Sequence, residues 1–241
     1  MSFNRFETDD FVVSADSITA GLFTDSRTAT LSTFFTSSTQ VVASSGDYFL
    51  NIFSDSSQAQ LEFAIAFGDK LGSGSVPFDS EVVGKSPSSA IYGQYRTLVL
   101  ADENSDFNFG GTTSDKIYAI SIDRNRYKES LFPGSLTLEL SGSLGHPVLS
   151  LTDNSKVATT VEFNDAGRVF QLVSGSAGTV ATGAGGSTLG YSAGQGSYGF
   201  FLPDIATLLL NPLAISESAG ILTSSLNTSN LTNNQTLFNA L

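Results

Sequence analysis

The sequence predicts a mostly β protein: an antiparallel, β-sandwich-like domain with long polar loops and a Gly/Ser/Thr-rich C-terminal segment. Three observations carry that class. Leu136, Leu138 and Leu140 alternate with Thr137, Glu139 and Ser141, the period of two that turns one face of a strand to a core. Leu61, Phe63, Ile65 and Phe67 alternate in the same way with Glu62, Ala64 and Ala66. Ile117 to Ile122 is a run of β-branched and aromatic residues, as a buried strand would be.

Taken in order, residues 1–30 are polar and acidic with isolated apolar residues, and read as an arm or a first short strand. Ser32 to Ser45 is rich in hydroxyls and β-branched residues, which disfavour a helix. Tyr48 to Phe53 is a strand entered through Gly46-Asp47. Gln60 to Phe67 is the alternating strand, closed by Gly68-Asp69-Lys70, and Gly72-Ser-Gly-Ser follows as a turn. Tyr92 to Leu100 fits a strand or a short helix, and Gly93 weakens both.

The central block runs from Ala90 to Gly142. Asp102 to Gly111 is a polar insert, followed by the Ile117–Ile122 strand. Asp123, Arg124, Arg126, Lys128 and Glu129 then crowd charge into one short stretch of a chain that is 14% charged. Phe132-Pro133-Gly134 reads as a turn, with Pro presetting φ and Gly tolerating φ > 0. Further strands are expected over Val148 to Leu151, Val157 to Phe163 and Arg168 to Val173. Tyr198 to Leu202, a Pro203-Asp204 turn and Ile205 to Leu210 form another pair, with a short helix from Asp204 as the alternative. Asn233-Asn234 can cap a last short helix ending at Leu241. The organisation expected is an arm over 1–15, a β domain over 16–215 with room for two sub-lobes about a break near 142–147, and a polar tail over 216–241.

Composition narrows the function. With 241 residues, 40% hydrophobic content and 19 Phe, the chain can fill a substantial core. It has no Cys, so it has neither a disulfide nor a thiolate ligand or nucleophile. A formal charge of −12 argues against nucleic acid and anionic membrane as partners. Met1 to Asp10 lacks an apolar h-region, so no signal peptide is expected. The apolar run Phe200 to Ile215 is broken by Pro203, Asp204, Asn211 and Pro212 and is too short to span a bilayer.

No motif points to chemistry. His146, the single histidine, sits in Leu144-Gly-His-Pro147 and reads as a turn residue; no Gly-x-Ser-x-Gly elbow accompanies it. Zinc would need more imidazoles or thiolates, and no cofactor is expected. Asp102, Asn104, Asp106 and Asn108 have the odd-position spacing of a calcium loop. Phe107, however, stands where that loop needs Gly, and Thr113 where it needs a bidentate Glu. Gly194-x-Gly196-x-x-Gly199 matches the dinucleotide fingerprint as a string, without the strand before it and the helix after it. The sequons at Asn227, Asn230 and Asn234 lie in a tail full of Asn, Ser and Thr. No local signature singles out a carboxylate pair for glycoside cleavage, and the chain has no Trp for sugar stacking. A non-enzymatic protein is expected.

Two features suggest contacts with other molecules. Residues 169–241 contain no Lys or Arg and only Asp204 and Glu217 as acids, which predicts a surface covered by neighbours; a hydroxyl- and amide-rich free surface is the alternative. Arg124, Arg126 and Lys128 would line one face if extended and could meet a neighbour's carboxylates. The interface candidates are therefore Arg124, Arg126, Lys128, Tyr198, Phe200, Phe201, Pro203, Leu208 and Leu210.

Several segments resemble a family of virion structural proteins of T4-like, contractile-tailed phages of cyanobacteria and other marine bacteria. They are Asp9-Asp-Phe-Val-Val-Ser-Ala-Asp-Ser-Ile-Thr19, Phe34-Phe-Thr-Ser-Ser38, Ile91-Tyr-Gly-Gln-Tyr-Arg96, Asp102-Glu-Asn-Ser-Asp-Phe107 and Arg124-x-Arg126-Tyr-Lys-Glu129 with Pro133-Gly134. Tyr198-Gly, Pro203-Asp204 and Asn211-Pro212 extend the likeness over most of residues 1–215. The resemblance implies a tail or baseplate component. Its partners would be other tail proteins and copies of itself, and its place the virion, assembled in the host cytoplasm. It carries no catalytic residues. The alternative from another class is a carbohydrate- or receptor-binding β module of a fibre or spike. A sugar site predicts exposed aromatics beside paired acids in one cleft, whereas assembly predicts flat, charge-poor surface.

Overall fold

In the computed structural model, the residues described are 35–36, 49–57, 60–74, 86–143, 145–181, 190–191, 194–221 and 232–241. The N-terminal arm, most of Ser32 to Ser45, and the sequons at Asn227 and Asn230 lie outside them.

The chain is mostly antiparallel β. Its strands are β1 (Phe35–Thr36), β2 (Leu50–Phe53), β3 (Leu61–Asp69), β4 (Phe107–Phe109), β5 (Thr112–Ser114), β6 (Lys116–Ile122) and β7 (Leu138–Leu140). They continue with β8 (Leu149–Asp153), β9 (Glu162–Asn164), β10 (Gly167–Ser176), β11 (Thr179–Val180), β12 (Gly199–Leu202) and β13 (Thr207–Leu210). The α-helices described are α1 (Pro87–Leu100), α2 (Pro212–Ala219) and α3 (Thr232–Ala240). One sheet holds eleven of the strands in the order β1-β2-β3-β6-β13-β12-β10-β8-β7, with β9 and β11 paired to β10. After β6 the chain crosses to the far edge and meanders back until β13 lies against β6, Leu208 opposite Ile120. The two layers expected of a sandwich are thus one continuous sheet, curled so that Leu50 and Ile65 share a core with Leu140 and Leu151. Residues 142–147 join the hairpin-paired β7 and β8, so the sheet runs through the expected break without interruption.

Alternation assigns the faces. Tyr118 and Ile120 of β6, Leu208 and Leu210 of β13 and Phe201 of β12 point to a core closed by Ala214, Ile215 and Ala219 of α2 and Leu237 and Ala240 of α3. Ile117, Ala119, Leu209, Phe200 and Leu202 point the other way, beneath Tyr92 and Val99 of α1 and Phe107 and Phe109 of β4. With both faces covered, the middle strands read as unbroken apolar runs rather than alternations. Of the residues expected inside, Ile65, Phe67, Ile120 and Leu140 are fully buried, while Phe63, Ile122, Leu136 and Leu138 are partly buried against the same core.

Three elements depart from expectation. Tyr92 to Leu100 belongs to a helix that starts earlier. Ser86 caps it, Pro87 fills its first turn, where no N–H is needed, and Ala101 ends it in the left-handed region. Gly68 lets this helix lie on β3, since a Cβ there would come within 2.9 Å of the Tyr92 amide nitrogen. The polar insert contains the β4–β5 hairpin, in which Gly110 and Gly111 (φ 59° and 103°) form the two-residue turn. Residues 232–241 belong to the fold rather than to a polar tail. Leu237 and Ala240 of α3 are buried, Tyr118 Oη donates to the Asn233 carbonyl (3.1 Å), and the Ser141 amide donates to the Ala240 carbonyl (2.6 Å).

Candidate functional site

Each expected interface residue has a definite place, and most are inside. Tyr198, Phe200, Phe201, Pro203, Leu208 and Leu210 are buried in the chain's own core, Tyr198 just before β12 and the others on β12, β13 and the 3-10 turn Pro203–Ile205. A neighbouring molecule cannot reach them, which corrects their reading as contact residues. The missing charge of the C-terminal third has the same cause: β10, β12, β13, α2 and α3 form the middle of the sheet and its cover. Burial within one chain excludes charge as effectively as burial between chains.

Arg124, Arg126 and Lys128 do not line an extended face, because Arg124–Arg126 is a 3-10 turn capped by Asp123. Arg126 turns inward and its Nε meets Glu62, a buried carboxylate, at 2.7 Å. The Arg124 guanidinium donates to the Tyr127 carbonyl and lies 4.8 Å from that ring's centre. Arg126 therefore ties the turn after β6 to β3, while Arg124 braces the turn itself; that removes the three-cation face.

The acidic loop is likewise occupied by its own backbone. Asp102 accepts from the Asn104 amide and the Ser105 hydroxyl, bonds that hold its carboxyl below the usual range. Asp106 pairs with Lys70 at 2.7 Å. Tyr92 Oη donates to the Ser114 carbonyl (2.9 Å), and burial pushes its pKa up to about 12, so at neutral pH it serves as a donor. His146 lies exposed between β7 and β8, with Nδ1 3.3 Å from the Ser218 carbonyl, as a turn residue would. The stretch ending at Gly199 leads into β12, so no helix follows it to receive a phosphate. Among the described residues, no three His, Asp or Glu side chains gather as metal ligands.

Two surface features bear on function. The first surrounds β9. Val157, Val161 and Phe163 are exposed, Phe163 by 73%, in a stretch the sequence assigned to a strand over Val157 to Phe163. Strand structure covers only Glu162–Asn164, which pairs with β10 alone, Phe163 opposite Arg168. Exposed β-branched and aromatic side chains on a short edge strand mark a contact surface rather than a core.

The second is an apolar cavity of about 370 Å³ between α1 and the sheet. Ile91, Gln94 and Tyr95 of α1 face Ala64 and Ala66 of β3, whose small side chains leave the space, and Phe49, 53% exposed, stands at the mouth. Tyr95 Oη and Ser121 Oγ are 2.7 Å apart, and Ser121 Oγ is 3.3 Å from Thr207 Oγ1, so the wall hydroxyls satisfy one another. Burial raises the Tyr95 pKa. The lining carries no charge and can take up only an uncharged group without a desolvation cost. Sequence reasoning missed this site. Ala64 and Ala66 read as the plain outer face of a strand, and nothing in their spacing reveals a helix crossing above them.

The chain matches no protein-family model, no curated protein and no solved structure.

Proposed function

We propose that this chain is a non-enzymatic structural component of a phage virion, in the tail baseplate or an adjoining tail structure, working through contacts with other tail proteins and with copies of itself. The observation that carries the reading is the apolar surface at β9. Phe163 on edge strand β9 and Val157 and Val161 in the segment before it are displayed to solvent close together in sequence. Such a surface gains free energy from burial against another protein, about 25 cal/mol for each Å² removed from water. The segments that resemble the phage family supply the class, and several of those described sit at joints of the fold. Ile91 to Arg96 lies in α1, Arg124 to Glu129 ties β3 to β6, and Asn211 caps α2. The Gly134 amide of the Pro133-Gly134 turn donates to buried Asp153 at 2.7 Å.

A carbohydrate-binding module is the second reading. Phe49 and Tyr95 beside Gln94 favour it, although the cavity wall lacks the paired acids of the usual sugar site. Mass spectrometry of purified tails, with a density map of the particle, tests the first reading. The chain is expected in the tail with β9 covered by protein. Its absence from particles overturns the proposal, and specific retention on a glycan array at the Phe49 cavity replaces it with the second.

A further inference from the structure

The hydroxyls beside the cavity under α1 point their protons in one direction, and that direction decides what the cavity can hold. Thr207, on β13, stands opposite Ser121, on β6. Its Oγ1 donates to the Ile205 carbonyl (3.1 Å), so toward Ser121 Oγ, 3.3 Å away, it can only accept. Ser121 therefore gives its one proton to Thr207 and accepts from Tyr95 Oη, 2.7 Å away. Burial raises the Tyr95 pKa, so the phenol keeps this proton at neutral pH. The donors thus run from Tyr95 into the sheet. At the cavity wall, which Tyr95 and Ser121 both line, Tyr95 Oη keeps lone pairs and has no proton to offer.

We propose that this cavity binds a small uncharged aromatic alcohol, its ring on the Ala64–Ala66 floor and its hydroxyl donating to Tyr95 Oη. Ala64 and Ala66 lie opposite Ser121 and Ala119, so the floor is a patch of short side chains on which a flat ring can rest. Phe49 and Tyr95 line the same recess and offer aromatic contacts to that ring. The volume of about 370 Å³ is more than twice the roughly 150 Å³ of an apolar cavity that takes up benzene. No lining residue is charged, so a carboxylate or an ammonium would enter at its full desolvation cost. The hydroxyl order makes a further selection. An ether or ketone of the same shape can only accept, and Tyr95 Oη has no proton for it. Gln94 is exposed, so its amide is already hydrated and adds little to that selection. The inference goes beyond the assembly reading and does not rest on it, since it involves neither β9 nor a second copy.

Titration of the full-length chain, followed by methyl NMR, tests this with four probes of one body: p-cresol, p-methylanisole, toluene and p-toluate. p-Cresol is expected to shift the Ala64 and Ala66 methyl signals saturably and to show nuclear Overhauser contacts to them. p-Methylanisole and toluene, which have no proton to donate, should bind about threefold to tenfold more weakly. p-Toluate should not bind detectably. In Tyr95→Phe the acceptor is gone, so p-cresol should fall to the affinity of p-methylanisole, whose own binding changes little. The Overhauser contacts locate the site in the wild type, so the test stands even if that variant fails to fold. The proposal is overturned by any of three results: no saturable shift with p-cresol, equal affinity for p-cresol and p-methylanisole in the wild type, or a preference for p-cresol that survives in Tyr95→Phe. None of these bears on the assembly reading, which stands or falls on the presence of the chain in purified tails.

Discussion

Arg126 shows how a residue's chemistry is set by where its neighbours lie. Its guanidinium meets Glu62, which is 4% exposed, at the end of β3. Removing one partner of a buried pair leaves a desolvated charge. Arg126→Ala is expected to cost roughly 1–3 kcal/mol, less than a fully buried pair because the arginine keeps some water contact. Adding Glu62→Gln should recover part of that loss, and urea unfolding of the two variants checks it. Asp204 governs the acid side. The Arg168 guanidinium holds its carboxyl below the ordinary value of 3.8. Because the folded value is depressed, the pair's contribution is complete above pH 3.8 and is lost as pH falls through the lower folded value. The melting temperatures of wild type and Asp204→Asn should therefore differ at neutral pH and converge below that window. On the alkaline side, burial raises the Tyr92 phenol to about 12. That stabilisation is present below pH 10, the phenol's ordinary value, and lost as pH rises through the folded value. Absorbance at the phenolate band should show Tyr92→Phe missing a late-titrating group.

Among the elements, helix α2 was the hardest to foresee, whereas the last short helix, expected about Asn233-Asn234, is present as α3. Helix α2 spans only Pro212–Ala219, too few residues for an apolar period to stand out, and the sequence reading took Asn211-Pro212 as a mere interruption. The structure gives Asn211 two tasks. Its side-chain oxygen accepts from the Leu213 amide (3.1 Å), and its amide nitrogen donates to the carbonyls of Gln195 and Ser197 (2.9 Å each). Asn211→Ala should thus cost roughly 2–4 kcal/mol, against about 1 for Ser86→Ala, which removes the cap of α1. Chemical denaturation of the two variants decides whether the tie to 195–197 counts beyond the cap. The β4–β5 hairpin was legible, since Gly110-Gly111 between Phe-Asn-Phe and Thr-Thr-Ser is a turn signal. It was overlooked because the acidic residues before it dominated the reading.

For the whole molecule, the main correction concerns the C-terminal third. Residues 216–241 were expected to form a polar tail, whose truncation would spare the fold. With Leu237 at 0% exposure and α3 closing the core over Tyr118, the same truncation takes away part of the fold. Leu237→Ala is expected to cost about 2–5 kcal/mol, lowering the melting temperature by roughly 5–15 °C. Removing α3 outright should lower it further; a truncated chain that melts with the wild type would show that α3 is not part of the core. The sequence by itself determined the antiparallel β class, the strands over Ile117–Ile122 and Gln60–Phe67 to within two residues at each end, and the turn at Pro133-Gly134. Period-two alternation, β-branching and Pro/Gly geometry are local properties, and they act within a few residues. Only the tertiary structure decided that residues 199–210 lie under helices on both sides, that Arg126 turns inward to Glu62, and that Ala64 and Ala66 floor a cavity while Phe163 projects into water. Those outcomes depend on which distant segment covers each face, and that is set by the crossing from β6 to the far edge of the sheet and the return beside it.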